Sequence, residues 1–156
     1  MQRDMKDEFI PYEQAVALKK LGFNKPCFAV YEDKKWQLGE VKNSIPYELC
    51  LKLDVFSTPT FSQCFRWFRD KYNLVHEISW SKSKSEVSFD YDIFSLVLPT
   101  DDELGDEDDV YIDRPMETYD SLAGKTFRDM EFETYEGAEL ACINKLIKIC
   151  KEFTHQ

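Results

Sequence analysis

The sequence predicts an α+β fold, an antiparallel sheet of three to five strands with helices packed mainly on one face. Three observations carry this expectation. Within Pro59-Thr-Phe-Ser-Gln-Cys-Phe-Arg-Trp-Phe-Arg-Asp-Lys-Tyr72, the rings of Phe61, Phe65, Phe68 and Tyr72 recur at helical spacing. At 100° per residue they share a sector about 60° wide, with Cys64 on its border. Leu74, His76, Ile78 and Trp80 alternate with polar or small neighbours, as do Val87, Phe89, Tyr91 and Ile93. Such alternation marks strands with one buried face. Finally, Tyr135, Ala138, Cys142, Leu146, Ile149 and Phe153 line one side of a long last helix.

The elements follow in order. Residues 1–8 read as a solvated tail. Ile10-Pro-Tyr-Glu13 opens a first helix, with proline tolerated in its first turn and Glu13 near the positive end of the dipole. Gly22 ends it as a left-handed cap, and Phe23 folds back onto it. Strands are expected over 26–31 and 36–38, joined by the polar turn at 32–35. Ile45-Pro-Tyr-Glu48 repeats the opening of the first helix 35 residues later. The similarity fades after Leu53, so it reads as a reused helix start, with a short helical or irregular segment over 46–53.

Ser57-Thr-Pro59 leads into the aromatic helix, and Asn73 closes it. The two alternating segments pair antiparallel across the loop Ser81-Lys-Ser-Lys-Ser85. Residues 99–115 form an acidic loop, and 126–132 is a possible third strand. Thr134 caps the final helix. Length and core content fit one domain over 1–156.

Composition narrows the function classes. Apolar residues make up 43% of the chain and aromatics 15%, too many for a disordered protein. No apolar run is long enough to span a bilayer, and the first residues lack the apolar centre of a signal peptide. The cytosol of a host cell is therefore the expected location, away from any membrane. Five cysteines without paired spacing point to buried free thiols rather than a disulfide framework. Cys142 and Cys150 share a helix but lie about 12 Å apart along it, beyond disulfide reach.

Neither a zinc-binding cluster nor a phosphate-binding glycine loop occurs, so no metal, cofactor or catalytic residue is expected. His76 is the one histidine placed for acid–base work, and it reads better as a structural or partner-facing side chain. Asp90 and Asp92 share a strand face about 7 Å apart, where a solvated face outweighs a metal pair. The glycine of the acidic run, Gly105, does not fit a calcium loop.

Charge suggests the partner. Asp101, Asp102, Glu103, Asp106, Glu107, Asp108 and Asp109 put seven negative charges into nine residues, most of the net charge of −10. Such a segment suits a basic surface on another protein, while the overall charge opposes nucleic-acid binding despite the modest basic set around Arg66 and Arg69. Trp67 lies off the aromatic stripe. Buried, it covers 45–56; exposed between Arg66 and Arg69, it has the composition of an interface anchor.

Three segments together resemble a known family: Phe9-Ile-Pro-Tyr-Glu-Gln-Ala with Leu21-Gly-Phe-Asn-Lys-Pro-Cys-Phe28, then 59–72, then Thr134-Tyr-Glu-Gly-Ala-Glu-Leu-Ala-Cys142. They are similar to small uncharacterised proteins encoded by bacteriophages and prophages. The resemblance covers about a third of the chain, implies a phage-related origin and assigns no catalytic residue. The segment 98–125 is unlike that family. The expected function is a non-enzymatic accessory protein that binds a host or phage protein, through Trp67, Arg66, Arg69 and the acidic loop. The alternative is a small enzyme or a small-molecule or nucleotide binder with a pocket between sheet and helices. A virion component is a third possibility.

Overall fold

The computed structural model describes residues 4–95, 116–118 and 132–154. The chain divides into two compact units, one from 1–67 with 143–156 and one from 68–142. The acidic run from Asp101 to Asp109 and most of the expected strand at 126–132 lie outside the described residues.

In the first unit, residues 4–8 are exposed, with Met5–Glu8 forming a single turn of 3-10 helix rather than a plain tail. Helix α1 spans Tyr12–Lys20, after Pro11 at φ −61°. Gly22 takes φ 98°, a region closed to most side chains, and so the chain can turn back. Gly22 N–H donates to Lys19 O at 3.0 Å and Phe23 N–H to Leu18 O at 2.9 Å. Phe23 is buried, as its position after the cap predicts.

Strands β1 (Cys27–Glu32) and β2 (Lys35–Val41) pair antiparallel through the two-residue turn Asp33-Lys34. Both turn residues have positive φ, 49° and 63°, the backbone twist that a tight hairpin needs. The second Ile-Pro-Tyr-Glu does start a helix, α2 (Tyr47–Leu53), again with proline just before it. Asp54 then adopts the left-handed conformation, and its carbonyl accepts Asp33 N–H at 3.0 Å.

Strand β3 (Val55–Thr58) was not foreseen, since four residues are too few for a periodicity. It pairs with the free side of β1, Tyr31 opposite Phe56, giving the sheet order β2-β1-β3. The α+β class holds. Among the described residues, however, the strands lie in two antiparallel sheets rather than in one layer. Strand β3 joins the β1–β2 hairpin as its third strand, and no described ladder links that sheet to β4–β5.

Helix α3 (Phe61–Tyr72) begins with a reciprocal cap. Thr60 N–H donates to Gln63 Oε1 at 3.0 Å, and Gln63 N–H donates to Thr60 Oγ1 at 3.2 Å. Cys64, Phe65 and Phe68 are buried, while Phe61 and Tyr72 are half-buried. Asn73 ends the helix at φ 55°, with its N–H donating to Arg69 O at 3.0 Å.

In the second unit, β4 (Leu74–Lys82) and β5 (Val87–Ser95) form a nine-pair hairpin without a register break. Strand β6 (Met116–Thr118) and the isolated bridge at Phe132 both pair with the far side of β5. Helix α4 covers Tyr135–Thr154. Thr134 caps it, accepting Gly137 N–H at 3.0 Å. A Cβ on residue 137 would come within 2.9 Å of that capping oxygen, so glycine keeps the cap intact.

Candidate protein-interaction face

The β4–β5 hairpin sorts its side chains by simple alternation. One face carries Leu74, His76, Ile78 and Trp80 from β4, the last three opposite Ile93, Tyr91 and Phe89 from β5. Burial falls along it. Leu74, Ile93 and Tyr91 are buried, Ile78 and Phe89 are half-buried, and Trp80 is 68% exposed. Tyr135 stands edge-on to Phe89, ring centroids 6.0 Å apart, and is itself partly open, as is Val87. Toward its tip this face thus shows solvent Trp80 and Val87, with Lys82 opposite Val87 and Tyr135 of α4 against Phe89.

Beyond the apolar pair Val75 and Phe94, the opposite face is polar. Glu77 stands across from Asp92, Ser79 from Asp90, and Ser81 from Ser88, with the last two hydroxyl oxygens 2.8 Å apart. Asp90 and Asp92 are half-buried rather than fully solvated, as alternation alone would have it. Oδ1 of Asp90 is shielded from solvent and finds no hydrogen-bond partner among the described residues. No group of three His, Cys, Asp or Glu among the described residues is arranged to hold a metal ion. With Glu77 opposite Asp92, the pair concentrates negative charge on this face.

His76 lies half-buried in β4. Burial, and then the nearby Arg69 guanidinium, lower its pKa to about 4, so the imidazole is neutral at pH 7. That state can accept or donate a hydrogen bond but holds no proton ready for transfer at neutral pH.

The residues singled out in the sequence separate. Trp67 is buried, at 4% exposure, with Phe23 edge-on at 5.4 Å. It cannot serve as an exposed anchor. The fold-back at Gly22 brings Phe23 to it, a contact that helical phase does not reveal. Arg66 and Arg69 are exposed as expected, and Arg69 Nε lies 3.5 Å from Asp70 Oδ1. The seven acids from Asp101 to Asp109 lie outside the described residues. Alternation places Trp80 on the buried face of its strand, yet it is 68% exposed. Its signal was position, because it is the last apolar residue before the polar turn, where a hairpin leaves its core.

A second feature lies between α1 and α4 in the first unit. Glu13, Gln14, Ala17, Asn144, Ile147, Lys148 and Lys151 line a groove of about 230 Å³. Gln14 Nε2 donates to Asn144 Oδ1 at 2.9 Å across it. The expected pocket lies between sheet and helices; this groove is walled by two helices, with charged or amide side chains at five of its seven lining residues. Small-molecule sites are usually enclosed and mostly apolar, with few polar groups.

The five cysteines are buried free thiols, as expected. Burial pushes Cys27 up to about 12, only partly offset by the charge of Lys19, and also raises Cys50 and Cys142. None of these three has the lowered pKa of a nucleophile. Among the described residues no helix is long and apolar enough to cross a membrane. No known family model, curated protein or solved structure matches the chain.

Proposed function

We propose that this chain is a non-enzymatic accessory protein that binds another protein through the open face of the β4–β5 hairpin. The observation that carries the reading is Trp80, a large aromatic side chain 68% exposed on the same hairpin face as Val87. Tryptophan is the residue type most enriched among the side chains that dominate interface energies. Burying it, together with its apolar neighbours, supplies the non-directional attraction that holds a complex. The anchor role assigned to Trp67 in the sequence passes to Trp80.

The acidic run from Asp101 to Asp109 suits a partner with a basic surface, where it speeds encounter more than it holds the complex. Resemblance to phage- and prophage-encoded proteins supports an accessory role in the cytosol of an infected cell. The test is capture of partners from infected cells with the parent chain and with Trp80→Ala. The expected result is one protein retained by the parent and lost by the variant, with an affinity drop of at least about thirtyfold. Equal retention of every captured protein removes this reading.

One observation favours the alternative of a small-molecule binder, the groove between α1 and α4 with Lys148 and Lys151 on its rim. A panel of metabolites and nucleotides, read by melting temperature, decides between them. A shift of several degrees for one compound, absent in Gln14→Leu, would favour the groove.

A further inference from the structure

The interaction face has an edge as well as a surface, and among the described residues the edge strands β2 and β4 differ. Phe89 N–H donates to Phe132 O at 2.8 Å, and Phe132 N–H donates to Phe89 O at 2.9 Å. The backbone groups of Phe89 therefore point away from β4. In an antiparallel ladder, residues directly opposite share this property, so the N–H and C=O of Trp80 point away from β5. The pair Ser83–Glu86, whose Ser83 N–H donates to Glu86 O at 2.9 Å, sets the same phase from the turn. By the period of two, Ile78 and Lys82 also direct their backbone groups outward. Among the described residues no strand pairs with that side of β4.

Proteins usually blunt such an edge. Strand β2 is blunted. Its register with β1 breaks between Cys27 and Ala29, and Gly39 has open space above it. Strand β4 is nine residues long, carries no proline and pairs without a bulge. It is an edge shaped to be extended.

Resting on the binding reading above, we propose that the outer edge of β4 takes an extended segment of another protein, one in which basic residues alternate with apolar ones. The two faces of the hairpin dictate that pattern. An added strand would set every second side chain beside Ile78 and the exposed Trp80, where apolar groups are favoured. The others would lie beside Glu77, with Asp92 and Asp90 one strand further in. These three carboxylates crowd one face and have no ion-pair partner among the described residues. Lysine or arginine in the added strand supplies the missing charge. A second copy of this chain is a poor occupant. Self-pairing centred on Ile78 would bring two sets of carboxylates onto one face with no cation between them.

The test uses the full chain, isotopically labelled, and two short acetylated peptides, one alternating valine with lysine and one alternating valine with glutamate. The lysine peptide is expected to protect the Ile78, Trp80 and Lys82 amides from exchange and to bind about tenfold more tightly than the glutamate peptide. Glu77→Lys, at an exposed position, keeps the fold and inverts the preference. The proposal is overturned if neither peptide protects those amides, or if both bind equally. It is equally overturned if the peptide-free protein gains the protection as its concentration rises, since the occupant is then a second copy. A captured partner that needs Trp80 but leaves the three amides exchanging would remove edge pairing and leave the interaction face standing.

Discussion

Glu77 and Asp92 face each other directly across the β4–β5 ladder, a like-charged pair in the position where opposite charges would stabilise a sheet. Sequence alternation places each of them on the polar face. Only the register makes them neighbours, and their repulsion is a standing cost to the hairpin.

Glu77→Gln should therefore stabilise the protein by about 0.2–1 kcal/mol at neutral pH. Salt screens exposed charges, so raising ionic strength should help the parent more than the variant. Urea melts at two salt concentrations check both statements. A variant less stable than the parent would mean that Glu77 has a favourable partner.

Trp67 and Trp80 should behave oppositely on truncation. Trp67→Ala empties a buried site beside Phe23 and should cost about 3–5 kcal/mol. Trp80→Ala removes an exposed side chain and should stay within about 0.5 kcal/mol of the parent. Denaturant unfolding of the two variants side by side decides the assignment.

His76 makes stability depend on mild acid. Its pKa is lowered to about 4 by burial and then by Arg69, while the unfolded chain titrates near the ordinary 6.5. The unfolded state thus binds the proton first. The contribution is fully present above about pH 6.5 and is lost as pH falls toward 4. Imidazole resonances followed by NMR should show His76 titrating near pH 4, and His76→Asn should flatten the stability profile over that window. A midpoint near 6.5 would place the ring in solvent.

Tyr12 makes a matching statement in base. Its hydroxyl donates to Asp54 Oδ1 at 2.5 Å, and that bond, with burial and the carboxylate charge, raises the phenol to about 12. The stabilisation is present below pH 10 and lost as pH rises through about 12. Absorbance titration of the parent minus Tyr12→Phe should yield one tyrosine ionising near pH 12. A difference curve centred at 10 would mean that the bond does not form in solution.

The thiols should be silent in the native state. All five cysteines are buried, and burial holds Cys27 near 12. A thiol-reactive chromophore at neutral pH should label none of them rapidly and all five after unfolding. Rapid labelling of one cysteine in the native protein would contradict its burial.

Much of the architecture was legible because local chemistry wrote it. Alternation marked β4 and β5 to within a residue or two, the aromatic stripe marked α3, and Gly22, Asn73 and Thr134 marked the ends where backbone groups need special partners. Ile-Pro-Tyr-Glu signalled both of the helix starts that it precedes. These features depend on the period of a helix or strand and on which residues tolerate positive φ. A single chain carries that information without its neighbours.

What tertiary structure decided is what distance along the chain hides. Val55–Thr58 is a strand because β1 has an unpaired side to offer it, and the described strands form two sheets where one was expected. Trp67 was buried because the chain returns at Gly22 and lays Phe23 against it. Trp80 stayed open because it lies in the outer third of a nine-pair hairpin, where burial on that face runs out. Periodicity assigns a side chain to a face; only packing decides whether that face meets protein or water.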